Sequence, residues 1–322
     1  MTLARRVRAA LREAVFGPAG FRHQCLVGLP EPQQQVSVWL HGLGAPVEVT
    51  DCHVIAAAVP LTIGISLECG AALAPKIGCR ASLLFRERAG SQPLLAEIGL
   101  KLAAKIPAVE GSLYLFRVTG SKNHCATQAQ LWWVHLAAQY HRLFGSGEGR
   151  SGIQPTLRDA RCGFAFYICP RPIVVVSVND GLAGNIFPMD LVGSISPRSF
   201  SLALHQSRGG VPLMERSRQI AVSTVPVEQA PAVYALGENH RKASVDWSAL
   251  PFATILSPVF RLPVPSFALR VREMRITATH TIESYRLFVA EVLEEEILSS
   301  GGLPLHIVHG FYDAWRRRAS CF

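Results

Sequence analysis

The stretch Asp180-Gly181-Leu182-Ala183-Gly184-Asn185-Ile186-Phe187-Pro188-Met189-Asp190-Leu191-Val192-Gly193 decides the reading of the second half of this chain. It follows Ile173–Val178, a run of β-branched residues suited to a strand covered on both faces. Asn179-Asp180-Gly181 supplies the turn, because glycine reaches the left-handed backbone region at little cost. Ser194-Ile195-Ser196-Pro197 comes next, then Ser199–Leu204 with apolar and small polar residues alternating. The bend His205-Gln206-Ser207-Arg208-Gly209-Gly210 precedes a short helical turn, Pro212–Arg218, and a strand at Ile220–Ser223. Residues 225–265 show little periodicity and read as a long loop. Strands are expected again at Ala268–Arg275, Tyr285–Val292 and Leu305–Val308, before a tail at Phe311–Trp315.

Working backwards, Leu3, Val7, Leu11 and Val15 mark an amphipathic helix over Leu3–Phe16, ended by Gly17-Pro18. Short strands are expected at Val36–Leu40, Val47–Val49, on either side of Pro60, at Ala81–Phe85 and at Ser112–Val118. Leu95, Ile98 and Leu102 have helical spacing and predict a helix over 92–105; Gln128–Leu143 predicts another. Four glycines between Gly145 and Gly152 mark a linker. The expected organisation is a β-rich domain at 1–144, the linker at 145–152 and a second domain at 153–322. Sliding the halves by 137 residues superposes strand, glycine turn, strand, proline, strand, and a shift of 174 puts Leu131, Val134 and His135 on Leu305, Val308 and His309. An internal duplication is therefore expected.

Composition removes several classes. With 49% hydrophobic and 17% charged residues over 322 positions, the chain buries a substantial core and is not disordered or fibrous. A formal net charge of +9 favours anionic partners. No basic stripe is interleaved with aromatics, so nucleic acid is not an expected partner. The longest apolar runs are broken by proline, so no membrane partner is expected either. The 8 cysteines form no C-x-x-C pair or zinc cadence, and no signal peptide stands at the start, so free thiols in the cytoplasm are expected and no metal. Walker A, G-x-G-x-x-G, H-E-x-x-H and G-x-S-x-G motifs are missing.

From about residue 165 to 315 the order of these pieces resembles the flavin reductase-like family with the FMN-binding split-barrel fold. The resemblance rests on the strand and glycine turn, Asn185 and the apolar residues to Pro188, Ser196-Pro197, the strand ending Leu204-His205, and Ser207-Arg208. Ser196-Pro197-Arg198 stands where the family has paired prolines, and Asp246-Trp247-Ser248 where it has an Asp-Lys-Phe-like stretch. The fold expected is mostly β with α additions: a split barrel in the second half and a degenerate one in the first, making a pseudo-dimer.

The resemblance implies an FMN-dependent oxidoreductase taking hydride from NAD(P)H and passing electrons to a small-molecule substrate or a flavin acceptor. Chemically, Asn185, Ile186, Phe187, Pro188 and Met189 form a polar-then-apolar ledge whose backbone amides can face a ring. His205, Gln206, Ser207 and Arg208 offer a hydroxyl, a guanidinium and glycine-freed amides to a phosphate. His309 is the candidate proton relay; His53, His135 and His240 rank below it. In the first half Glu48 meets Asn185 and Gly70-Ala71 meets Ser207-Arg208, so that half is expected to lack a flavin site and to serve as a partner surface. The alternatives are a non-catalytic subunit or binding module with a protein partner, a haem protein on the same scaffold, and a homodimer in place of a pseudo-dimeric monomer.

Overall fold

The computed structural model describes residues 23–31, 33–67, 75–108, 110–144 and 155–319. The expected helix Leu3–Phe16 and the linker 145–152 lie outside them.

After β1 (Gln24–Gly28), the first half contains β2 (Val36–His41), β3 (Val47–Glu48), β4 (His53–Ala58), β5 (Leu61–Ser66), β6 (Arg80–Glu87), β7 (Leu94–Pro107) and β8 (Ser112–Asn123). These seven strands form one antiparallel sheet in the order β3-β2-β6-β7-β8-β5-β4. After the two-residue β9 (Arg171–Pro172), the second half contains β10 (Val174–Asn179), β11 (Gly184–Met189), β12 (Val192–Ser196), β13 (Ser199–His205) and β14 (Gln219–Thr224). A small hairpin, β15 (Thr254–Leu256) with β16 (Pro263–Pro265), precedes β17 (Arg270–Ile282), β18 (Tyr285–Ile297) and β19 (Leu305–His309). The second seven-stranded sheet runs β11-β10-β14-β17-β18-β13-β12.

The connections force each sheet to curl. β11 and β12 are its opposite edges, yet only Asp190 and Leu191 separate them in the chain. Three residue steps span about 10 Å, whereas seven strands laid flat cover about 28 Å. The edges must therefore meet, and the result is a barrel split along one seam. The first sheet has its seam between β3 and β4 and the same strand order.

The likeness extends to irregularities. The β7–β8 hairpin shifts register at Gly99/Leu100 and Leu102/Ala104, and the β17–β18 hairpin does so at Glu273/Met274 and Ile276/Ala278, each position 174 residues further on. β4 carries a bulge at Ile55/Ala57 and β12 one at Ser194/Ser196. The 174-residue shift does not continue to the segments near the ends, as the sequence reading had it: Leu131–His135 lies in the helix Gln128–Phe144, whereas Leu305–His309 is a strand.

Each barrel encloses its own apolar core, and a third cluster joins them back to back. Leu113 and Leu115 of β8 meet this junction from one side, Leu287 and Val289 of β18 from the other, again 174 residues apart. Val54 and Gly193 each stand one residue before the bulge in β4 and β12, and they face each other: a Cβ placed on Gly193 would lie 2.7 Å from the Val54 Cβ. A position that meets its own counterpart marks the axis of a two-fold arrangement. The Ser66 hydroxyl also crosses the junction, donating to the Ile195 carbonyl at 2.6 Å.

Three sequence expectations change. Residues 94–107 are a strand, because Ala96, Ile98, Leu100 and Leu102 are buried in alternation; of the residues with helical spacing, Ile98 and Leu102 belong to that period-two series and Leu95, also buried, stands out of phase with it. Residues 225–265 hold short helical turns and the β15–β16 hairpin rather than plain loop. The composition boundary at 145–152 does not divide the packing: Cys162, Ala165, Phe166, Val308, Phe311 and Tyr312 all belong to the first core. The helix Leu157–Phe166, opened by a Thr156/Asp159 capping box, is tied to that barrel by the Asp159 carboxylate, which accepts from the Leu61 N–H at 2.9 Å. β1, β19 and β9 pair in one small sheet that joins both ends of the chain.

Gly193→Ala is expected to lower stability by about 1–3 kcal/mol through overpacking. Gly163→Ala, in a helix with nothing near the added carbon, is expected to be neutral or stabilising. Urea midpoints of the two variants against the parent check the opposite signs.

Candidate functional site

β11 is an edge strand, and an uncovered edge exposes a row of backbone groups. Here the segment 237–247 lies along it as a strap. Val245 N–H donates to Gly184 O at 2.9 Å, the Asn239 amide donates to Ile186 O at 2.9 Å, and the His240 ring bonds Pro188 O. The Asn185 amide donates back to Asn239 O (3.1 Å) and Lys242 O (2.8 Å). Asn185, Ile186 and Phe187 are fully buried, and Trp247 sits on Gly184 where a Cβ would be 2.6 Å from its ring. Of the ledge inferred from sequence, only Pro188 and Met189 line a cleft. The cause is the strap, which takes the outward carbonyls of residues 184, 186 and 188.

The bend after β13 is likewise folded on itself. Ser207 N–H donates to His205 Nδ1 at 3.2 Å and its hydroxyl lies 2.7 Å from the same nitrogen. Arg208 N–H donates to His205 O, and Gly209 N–H to His240 O. The backbone donors expected to be free for a phosphate are therefore used locally. Gln206 turns outward and donates to Glu283 O at 3.0 Å. Arg208 is different: among the described residues its guanidinium has no hydrogen bond or ion pair. Its charge lowers the pKa values of His205 and His240, after burial as the larger cause, and acts on Tyr285 as well.

Between these parts, at the seam of the second barrel, lies a cleft of about 230 Å³ lined by Pro188, Met189, Asp190, Tyr234, His240 and Ile307. Gln24 and Ile307 are shared with a neighbouring cleft of about 300 Å³ that contains His309 and Tyr167. Tyr167 OH donates to the Asp190 carboxylate at 2.7 Å, which holds that carboxylate at the seam. The Tyr285 hydroxyl is pushed up to about 12, chiefly by burial, and the His205 ring stands edge-on to it at 5.3 Å. His240 is buried enough for its pKa to fall to about 4. The Pro188 backbone acts on the ring, and among the described residues its buried Nδ1 has no partner.

His309 lines the second cleft but is packed between Phe164 and Phe311, at ring distances of 4.6 and 4.7 Å. Burial, with His23 beside it, lowers its pKa to about 3. That favours the neutral imidazole at neutral pH. The sequence reading missed Asp190, Tyr167 and Tyr285. One signal was available: Asp190 and Asp51 each stand two residues before the strand that closes the seam. Among the described residues no group of three or more His, Cys, Asp or Glu side chains is arranged to hold a metal ion. No helix of the described residues is long and apolar enough to cross a membrane. The described cysteines, at 25, 52, 79, 125, 162 and 169, form no disulfide with one another.

No family model matches this sequence, and no curated protein matches it. Solved structures similar to it include an FMN-binding protein from Thermus thermophilus, 24% identical over 40% of this chain and 71% of that one, with a TM-score of 0.37. Flavoredoxin from Methanosarcina acetivorans is 16% identical over 40% and 69%, TM-score 0.36. The styrene monooxygenase flavin reductase from Pseudomonas putida S12 is 20% identical over 44% and 90%, TM-score 0.37.

His53 is fully buried, donates Nδ1–H to Val49 O at 2.8 Å, and has a pKa lowered to about 3 by burial and by Arg171. With His240 and His309 it is neutral when folded, whereas each takes a proton near pH 6.5 once unfolded. The unfolded state therefore binds more protons between pH 6.5 and about 3–4, and acid destabilises the fold. Each histidine is expected to contribute a fall of about 1.4 kcal/mol per pH unit in that window. Urea unfolding at pH 7.5, 6 and 5 checks the slope; a midpoint that stays flat on acidification contradicts it.

Proposed function

We propose that this chain is an FMN-dependent oxidoreductase of flavin reductase type, built as a duplicated, pseudo-dimeric monomer with one flavin at the seam of its second barrel. The observation that carries the reading is the pair of unused groups flanking that seam: the unpaired Arg208 guanidinium and the buried, partnerless Nδ1 of His240. A buried acceptor without a donor costs about 1–3 kcal/mol, and a flavin ring edge carries an N–H that satisfies it. Arg208 supplies a charge-assisted donor for the anionic tail. The residues present fit the group in these respects, with Pro188 and Met189 as the apolar wall.

The flavin, when bound, takes hydride from reduced nicotinamide and passes electrons to an acceptor; the protein supplies position and electrostatics. In this reading Arg208 anchors the tail, His240 Nδ1 orients the ring edge, and Tyr167 holds the Asp190 carboxylate at the seam. His205, kept neutral by burial and Arg208 and pinned through Nδ1 to Ser207, presents Nε2–H. His309 in its neutral form packs the neighbouring cleft and moves no proton.

The strap supports a second reading, a non-catalytic binding module: it closes the edge of β11, and a cleft of about 230 Å³ lies below the 300–1,000 Å³ usual for ligand sites. Flavin entry would then require the strap to shift. A spectrum separates the two. Under the first reading, the purified protein is expected to carry or take up FMN at one equivalent or less, and Arg208→Ala weakens binding by about 1.5–3 kcal/mol in a fluorescence titration. A protein that ignores added FMN, or an Arg208→Ala variant with unchanged affinity, contradicts it.

A further inference from the structure

A roomier cleft than the one at the second seam lies elsewhere. It encloses about 470 Å³ at the seam of the first barrel, where Thr50 and Asp51 face Val192–Ser194 of β12 across the junction. This is the half expected to lack a site. Arg171, Arg270 and Arg272 line the cleft against two carboxylates, Glu31 and Asp51, with His306 as the remaining titratable group.

Arg171 is the decisive residue. It is 5% exposed, and an arginine stays charged in a protein. Its Nη2 donates to Val192 O at 3.0 Å, and its guanidinium lies 5.4 Å from the Phe166 ring centroid. Nε has no partner, and among the described residues no carboxylate reaches the guanidinium within ion-pair distance. A buried cation without a counter-ion is strongly unfavourable. Arg272 reinforces the site: its side chain is 17% exposed, paired to Glu295 at 3.3 Å, and its guanidinium lies 5.2 Å from the Phe200 ring centroid, leaving fork donors available on the cleft wall. Arg270, by contrast, is already shared between Glu31 and Glu295. Val174, Val222 and Met274 supply apolar wall, and Gln33, Thr50 and Ser194 polar wall.

We propose that this cleft is a second ligand site, separate from the flavin reading, which takes a small organic oxyanion: a phosphate or carboxylate group between Arg171 and Arg272, on a flat or apolar body seated against Phe200 and Met274. Asp51 and Asp190 act on Arg171 only from beyond ion-pair distance; the ligand would supply the direct counter-charge, and the planar guanidinium fork matches either oxyanion.

Calorimetric titration of the full chain with phenyl phosphate, benzoate and inorganic phosphate tests this. At least one of the two aromatic probes is expected to bind at one per chain, more tightly than inorganic phosphate; which one is tighter identifies the head group. Arg272→Gln and Arg171→Gln are each expected to weaken that probe tenfold or more. Because Arg171→Gln removes a buried charge and can disturb folding, Arg272→Gln decides if only it folds. Arg208→Ala is expected to leave probe affinity unchanged, which separates this site from the flavin one. The proposal is overturned if neither aromatic probe binds below about 10 mM, if inorganic phosphate binds as tightly as both, if Arg272→Gln binds as the parent does, or if Arg208→Ala abolishes binding.

Discussion

The contact between Val54 and Gly193 is the constraint on which the rest of this structure depends. Two barrels of the same strand order can pack back to back only if the strands at their shared axis approach closely, and one side must then give way. A valine meets the absence of a side chain. The apolar positions of β8 and β18 close the junction around that point, and each seam is brought against the opposite barrel. The first seam, at Asp51, faces β12; the second, at Asp190, shares the Tyr167 and Tyr285 side of the junction with Ala58, whose backbone N–H bonds the Tyr285 oxygen. Both clefts are thus products of the junction rather than of either barrel alone.

The two seams differ in what fills them. At Asp190 the strap has taken the polar edge of β11, Tyr167 has taken the carboxylate, and Arg208 and His240 Nδ1 remain unused. At Asp51 nothing comparable covers the opening among the described residues, and a guanidinium sits buried without an ion-pair partner. In a symmetric dimer the two seams would carry the same groups. Joining the halves in one chain frees each seam to acquire its own chemistry, and the arginines of β9 and β17 have no arginine at the matching places of the second seam's cleft.

Much of the barrel was legible in the sequence. The β-branched run before Asn179-Asp180-Gly181 can only be a covered strand, and that turn has the expected form: Gly181 at φ +86° with its N–H on the Asn179 side chain at 2.7 Å. The strand at 94–107 was misread because three leucine and isoleucine positions fit a helix, while Ala96 and Leu100, which betray the period of two, are less conspicuous. The strap was illegible for a different reason. Its work is to hydrogen-bond an edge, which leaves no apolar period, so 237–247 looked like plain loop. The candidate site suffered from the same blindness. A single sequence displays the donors of Ser207, Arg208 and Gly209, yet it does not show that two of their amides are spent on His205 and one on the strap. Nor does it show that His309 is wrapped in aromatic rings.

A double-mutant cycle at the junction tests the central claim most directly. If Val54 and Gly193 oppose each other at a pseudo-two-fold axis, Val54→Gly opens the space that Gly193→Ala needs. The cost of Gly193→Ala measured by urea unfolding is then smaller in the Val54→Gly background than in the parent, with a coupling above about 0.5 kcal/mol. Losses that simply add would mean that the two positions do not touch, and the back-to-back arrangement that creates both clefts would be contradicted.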